Sequence, residues 1–222
     1  MRRTDDVVAF HRVQTPSTPA LVVNALRAAI LDGTLAPGSK LFQSRLAADL
    51  GVSRGPLREA LVILADDGLV VHIPNRGAFV AQVGERSMAE IASVRKRLEP
   101  WAIERALPRL RGVDREDVTR PLRAMAGAAD RGDVVALIDA HMLFHRAIYA
   151  LAEYALLLDL WRSWESQLQL FFSAHHHSLG IAHEVVTAHE RLLQAIDTGD
   201  GQTITGEVER HVDIPRPTRP RL

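Results

Sequence analysis

The sequence predicts a mainly α chain in two parts. The first is a small unit of three helices and a β-hairpin, and the second an all-α bundle of about six helices. Three observations lead there. Between residues 18 and 83, short apolar-periodic segments are punctuated by Gly and Pro and end in two β-prone runs. From Glu85 to about His211, apolar residues recur at three- and four-residue steps with almost no alternation of strand type. Hydrophobic content of 47% and charged content of 24% are those of an ordinary globular chain, which 222 residues can divide into one large or two small domains.

Composition also excludes several classes. The absence of cysteine rules out disulfides and thiolate metal ligands. No unbroken apolar run reaches the roughly 18 residues of a membrane span. Arg2 and Arg3 precede Thr4-Asp5-Asp6 rather than an apolar core, so no signal-peptide pattern opens the sequence and cytoplasm is the expected location. Formal net charge is zero, and residues 1–85 hold nine Lys/Arg against eight Asp/Glu, so any nucleic-acid affinity has to come from local placement of charge.

Residues 1–17 read as a flexible polar arm carrying Arg2, Arg3 and Arg12. Thr15-Pro16-Ser17-Thr18-Pro19 breaks the chain before a first helix, Ala20 to Leu31, with Leu21, Ala25, Ala28 and Ala29 at near-helical spacing. Pro37-Gly38 makes a turn. Gln43 to Leu50 forms a short amphipathic helix, and Gly51-Val52-Ser53 turns into a second one. Ser53 is its side-chain N-cap candidate, and Pro56 fits only a first helical turn. Leu57, Leu61 and Leu64 take the inner face, while Arg54 and Arg58, four apart, share an outer one. Gly68 to Ile73 and Ala78 to Ala81 flank Pro74-Asn75-Arg76-Gly77 as a hairpin, or wing. This is a winged helix-turn-helix spanning 18–83. Arginines near the start of such a second helix suit the major groove, where they pair with guanine or hold phosphates.

Residues 85–213 form the bundle, and 214–222, with Pro215, Pro217 and Pro220, a disordered tail. Glu85 to Leu107 carries Met88, Ile91, Val94, Leu98 and Trp101 on one stripe, with Pro100 kinking it. A weaker helix over 115–130 opens near Pro121. Strong helices follow from Val134 to Ala152 and over 155–174, then a loop at His175 to Gly180, a helix over 181–197, the turn Thr198-Gly199-Asp200-Gly201 and a last helix from Gln202 to Val212. His141 and His145 lie four apart on one helix. The 198–201 turn lets the last two helices run antiparallel and brings His189 and His211 to similar depth. Four imidazoles converging in a bundle make a site for a divalent metal. His175-His176-His177 diverge from one another, and His183 ranks below the four.

The segment LDGTLAPGSKLFQSRLAADLGVSRGPLREALVILADDGLVVHIPNRGAFVA resembles the winged helix-turn-helix of the GntR family of bacterial transcription regulators. Leu143 to Ile148, His189 to Asp200 and His211 resemble the C-terminal FCD effector-binding domain of its FadR subfamily. The resemblance implies that Ser44, Arg45, Ser53, Arg54, Pro56, Arg58, Asn75, Arg76 and Gly77 serve DNA binding. It implies a metal on His145, His189 and His211, with the family's aspartate replaced by His141. Four imidazoles favour Zn²⁺ or Ni²⁺ over Mg²⁺ or Ca²⁺. Asp139, six residues before His145, faces elsewhere and is no substitute. Arg95 matches the family's Arg-x-x-x-Glu helix and is the effector-binding candidate, the alternative being an ion pair with Glu99. Tyr154 stands where the family carries Asn.

The expected function is that of a homodimeric transcription regulator, most simply a repressor. It would bind palindromic double-stranded operator DNA, and a small organic acid held near a metal would modulate it. Two alternatives compete. One is a metal-dependent helical enzyme with a DNA-binding head, which would want a general base beside the metal; Glu184 and Glu190 are nearby in sequence, but nothing marks either as one. The other is a DNA-binding dimer without an effector.

Overall fold

The computed structural model describes residues 18–175 and 179–212. The expected arm at 1–17, the tail at 214–222 and the side chains of His175, His176 and His177 lie outside the described residues. The N-terminal part contains α1 (Thr18–Leu31), β1 (Lys40–Leu41), α2 (Gln43–Asp49), α3 (Arg54–Asp66), β2 (Val70–Ile73) and β3 (Gly77–Val80). The C-terminal part contains α4 (Glu85–Leu110), α5 (Glu116–Arg131), α6 (Val134–Leu151), α7 (Ala155–His175), α8 (Leu179–Thr198) and α9 (Gly201–Val212), with a single 3₁₀ turn at Val113–Arg115.

The head is a winged helix-turn-helix. Leu57, Ala60, Leu61 and Leu64 of α3 are buried against α1 and the sheet. The sheet is antiparallel in the order β1-β3-β2, with Val70 opposite Val80 and Lys40 opposite Phe79. β1 was not expected from sequence, because two residues carry no periodicity. Gly51, in the turn between α2 and α3, has φ +64°, a conformation that costs an L side chain energy. Asn75 takes φ +61° in the wing turn, where its short polar side chain is tolerated.

Four details differ from the sequence reading. The buried face of α1 is Val22, Val23, Leu26 and Ile30, not Leu21 and Ala25, which are exposed. The helix is almost wholly apolar, so two stripes compete, and the one with larger side chains buries more area. Ser53 occupies the N-cap position of α3 but makes no capping hydrogen bond, so its hydroxyl stays exposed. α4 and α5 run through Pro100, Pro108 and Pro121 without ending. Finally, the buried stripe of α4 passes from Met88 and Ile91 through Arg95 and Glu99 to Ala102, Ile103, Ala106 and Leu110, leaving Val94 39% and Trp101 42% exposed. Core positions held by a charged pair hide this stripe from an apolar count.

α6 lies centrally in the bundle and packs on α4, α5 and α7. Its 18 residues average a hydropathy of 1.4, enough by length and composition to cross a membrane, although the sequence reading found no unbroken apolar run of that length. Half of it is buried in the bundle, and Asp139, His141, His145 and Arg146 interrupt it, which fits a core helix. The two parts share core: Leu170 of α7 is buried among the head residues, and Val135 of α6 packs against them.

Candidate metal centre

α6 contributes His141 and His145, α8 His189 and α9 His211, one potential ligand nitrogen each, all within 4.8 Å of one another. The four-residue step on α6 places two rings on one face. Gly199, at φ +69°, turns α8 back against α9 and sets the other two rings opposite. The Nε2 of His145 stands 3.2 Å from Nε2 of His189 and 3.1 Å from Nε2 of His211. Phe144 and Phe172 pack against the rings, and Trp161 stacks on His145 at 5.4 Å between centroids.

Two partners orient these nitrogens. His189 Nδ1 donates to the carbonyl of Val185 at 2.7 Å, which leaves its Nε2 lone pair aimed into the cluster. His145 Nδ1 lies 2.7 Å from Glu99 Oε1, at ion-pair distance but not aligned as a hydrogen bond. Arg95 holds the other oxygen of Glu99 at 2.9 Å, and its guanidinium lies 3.3 Å from His145 Nδ1 and over the face of Trp161. Arg95 is 4% exposed and Glu99 fully buried, and of the two expectations for Arg95 it is the ion pair with Glu99 that is formed.

Electrostatics keep the imidazoles neutral. Burial, the other histidines and Arg95 hold His141 and His211 well below the usual histidine value. Burial and His145 bring His189 down to about 3. Burial lowers His145 even though Glu99 opposes it. Burial alone would raise Glu99, but Arg95 and His145 outweigh it and lower it to about 2. The neutral rings bring His145 Nε2 and His189 Nε2 close enough to share a cation. Two ligands on a tetrahedral zinc at about 2.0–2.1 Å stand roughly 3.3 Å apart. The residues fit a divalent ion.

The remaining sequence candidates fall into place as follows. Asp139 is half-buried, feels the charge of Arg27 and lies outside the histidine group, as expected. His183 is exposed and 3.3 Å from Asp130. Tyr154 packs on Trp101 at 5.3 Å. Sequence reasoning missed Glu99 as the partner of His145, although the Arg95–Glu99 spacing had already put both on one helix face. Ser44, Arg45, Ser53, Arg54 and Arg58 are exposed along α2 and α3, with Pro56 half-buried, and Asn75, Arg76 and Gly77 are exposed in the wing. Arg76 leans over Phe79. Lys40, also missed, stands over Phe42 and Phe79 at 5.5 and 5.9 Å, on the strand edge opposite β2.

Residues 90–213 match the FCD domain, and residues 20–80 match the bacterial regulatory proteins of the gntR family. The chain belongs to the GntR regulators that carry an FCD domain. It is similar to the transcriptional regulator McbR of Escherichia coli K12, 32% identical over 139 residues that make up 63% of each chain. It is also similar to the gluconate operon transcriptional repressor of Bacillus subtilis 168, 28% identical over 89% of this chain and 83% of that one. The match thus spans less than two thirds of McbR but most of the gluconate repressor. Among solved structures, E. coli McbR/YncC superposes with a TM-score of 0.69 at 25% identity over 89% of this chain and 94% of that one. A GntR regulator from Rhodococcus sp. RHA1 reaches 0.72 at 26% identity over the same shares. The family and these relatives are transcription regulators, not enzymes.

Proposed function

We propose that the protein is a cytoplasmic, homodimeric transcription regulator that represses by binding palindromic operator DNA. In this reading a small carboxylate effector, bound beside a four-histidine metal centre, changes its DNA affinity. One observation carries the reading: α6 supplies two of the four imidazoles, and α6 and α7 also supply Val135 and Leu170 to the core of the winged head. A change at the centre and a change in the seating of the head therefore share elements.

Each residue has a distinct role. His141, His145, His189 and His211 hold the ion, zinc or nickel by the nitrogen chemistry of the set. Bound there, the ion cross-links α6, α8 and α9 and supplies a positive charge that neutral imidazoles do not cancel. Glu99 and the Val185 carbonyl fix the rings. Arg95 has five N–H donors, and Glu99 engages it through one oxygen, so a second carboxylate can share it. Arg54 and Arg58 on α3, with Ser44, Arg45 and Ser53, face the major groove, while Asn75, Arg76 and Gly77 set the wing against the backbone. Pro56 fixes the first turn of α3. Val94, Trp101 and Tyr154 form an exposed apolar and aromatic strip on the bundle that suits a second copy. The name of the gluconate repressor favours repression and a small acid.

Fluorescence anisotropy on a palindromic operator selected from random DNA tests the reading. Metal-loaded protein should bind and respond to at least one acid in a panel of small carboxylates, and chelator-treated protein should lose that response. Tight binding that no carboxylate alters would instead support a DNA-binding dimer without an effector.

A further inference from the structure

A cavity of about 600 Å³ opens between the winged head and the bundle, and none of the four histidines lines it. On the head side lie Arg27 of α1 and Asp67 just past α3. On the bundle side lie Arg146 of α6 and Glu165, Ser166, Gln167 and Gln169 of α7. Its charges are matched within the wall. Arg27 is bonded to Asp67, and Arg146 to Glu165 at 2.6 Å. In all, three guanidiniums and three carboxylates line the space, so neither an anion nor a cation meets a surplus of opposite charge. The rest of the polar wall is hydroxyl and amide.

Gln169 points to an occupant. The residue is 7% exposed, it lines the cavity, and its side-chain amide makes no hydrogen bond to any described residue. The side chain is packed down, but its amide nitrogen and oxygen stay open to the cleft and offer an occupant both a donor and an acceptor. Beside it, Glu165 is 6% exposed and held in one orientation by Arg146. A rigid buried carboxylate, an unpaired amide open to the cleft and neighbouring hydroxyls form a wall that recognises hydroxyl groups, in a volume typical of small-molecule sites. We propose that this inter-domain cleft binds a small neutral polyhydroxylated molecule, of the sugar or polyol class, through Gln169, Glu165 and Ser166. An occupant touching both parts favours the arrangement of head and bundle that it bridges, independently of the metal centre.

The test is isothermal titration of the full chain with D-glucose, D-xylose and xylitol as neutral probes, and with sodium gluconate and L-serine as charged ones. At least one neutral probe should bind, and its affinity should drop tenfold or more in Gln169→Leu. That variant should melt no lower than the parent, since it loses only an unpaired amide. Ser166→Leu, which fills the space from a half-exposed position, should lose binding as well. His145→Ala, whose side chain does not line the cleft, should keep it, which separates failure here from failure of the metal reading. If no neutral probe binds, if only the charged probes bind, or if Gln169→Leu binds as the parent does, the cleft holds only water and the proposal falls.

Discussion

At the residue scale, Glu99 decides how the proposed metal centre would behave. Among the described residues it is the buried carboxylate that lies against a cluster histidine, and it also neutralises Arg95. Glu99→Gln should weaken metal affinity about 10- to 100-fold, as removal of an orienting partner does, measurable by competition with a coloured chelator. Glu99→Ala should cost roughly 3–5 kcal/mol in chemical denaturation, because it strands a buried guanidinium. The histidines set the acid response of the metal-free chain. Their folded-state values all lie below 6.5, with His189 at about 3, so between those limits the unfolded chain binds more protons than the folded one. Stability is therefore full above pH 6.5 and is lost as pH falls below it, by up to about 1.4 kcal/mol per pH unit for each histidine. Melting of chelator-treated protein across pH 7.5 to 5 should show that decline, and His141→Phe should reduce its slope. A flat profile would contradict the buried neutral cluster.

At the element scale, the proposed regulation runs through α3 and α7. Arg54→Ala and Arg58→Ala should each lower operator affinity. A loss of about 1–3 kcal/mol confined to one base position marks a base contact, and a uniform loss with a shallower salt dependence marks a phosphate contact. Leu170→Ala removes a buried α7 side chain from the core of the head and should cost about 2–5 kcal/mol by thermal melting, with a larger effect on the head than on the bundle. The elements themselves were largely legible. Gly33, Gly51, Gly132 and Gly199 end helices at left-handed positions, and such punctuation survives in the sequence. What was not legible has physical causes. β1 is only two residues long and exists because β3 pairs with it. The buried stripe of α4 contains Arg95 and Glu99, which apolar periodicity cannot find. In α1 two apolar stripes compete, and tertiary packing alone chooses Val22, Leu26 and Ile30.

At the scale of the whole molecule, the account requires two copies. Trp101 lies 42% exposed beside Tyr154 on the outer face of the bundle. Trp101→Asp should convert a sedimenting species of twice 24.5 kDa into one of 24.5 kDa and weaken binding to a palindrome far more than to a half-site. The four-histidine cluster was readable from spacing, which sets the depth of His189 against His211, only together with the family resemblance. Its partner Glu99 was not, since it arrives from α4, about 40 residues before His141. The most direct test of the central claim is the metal content of chelator-stripped protein reloaded with Zn²⁺ or Ni²⁺, beside His145→Ala, by plasma mass spectrometry. The account predicts about one ion per parent chain and none in the variant. A parent chain that takes up neither ion, or a variant that takes up as much as the parent, would contradict it.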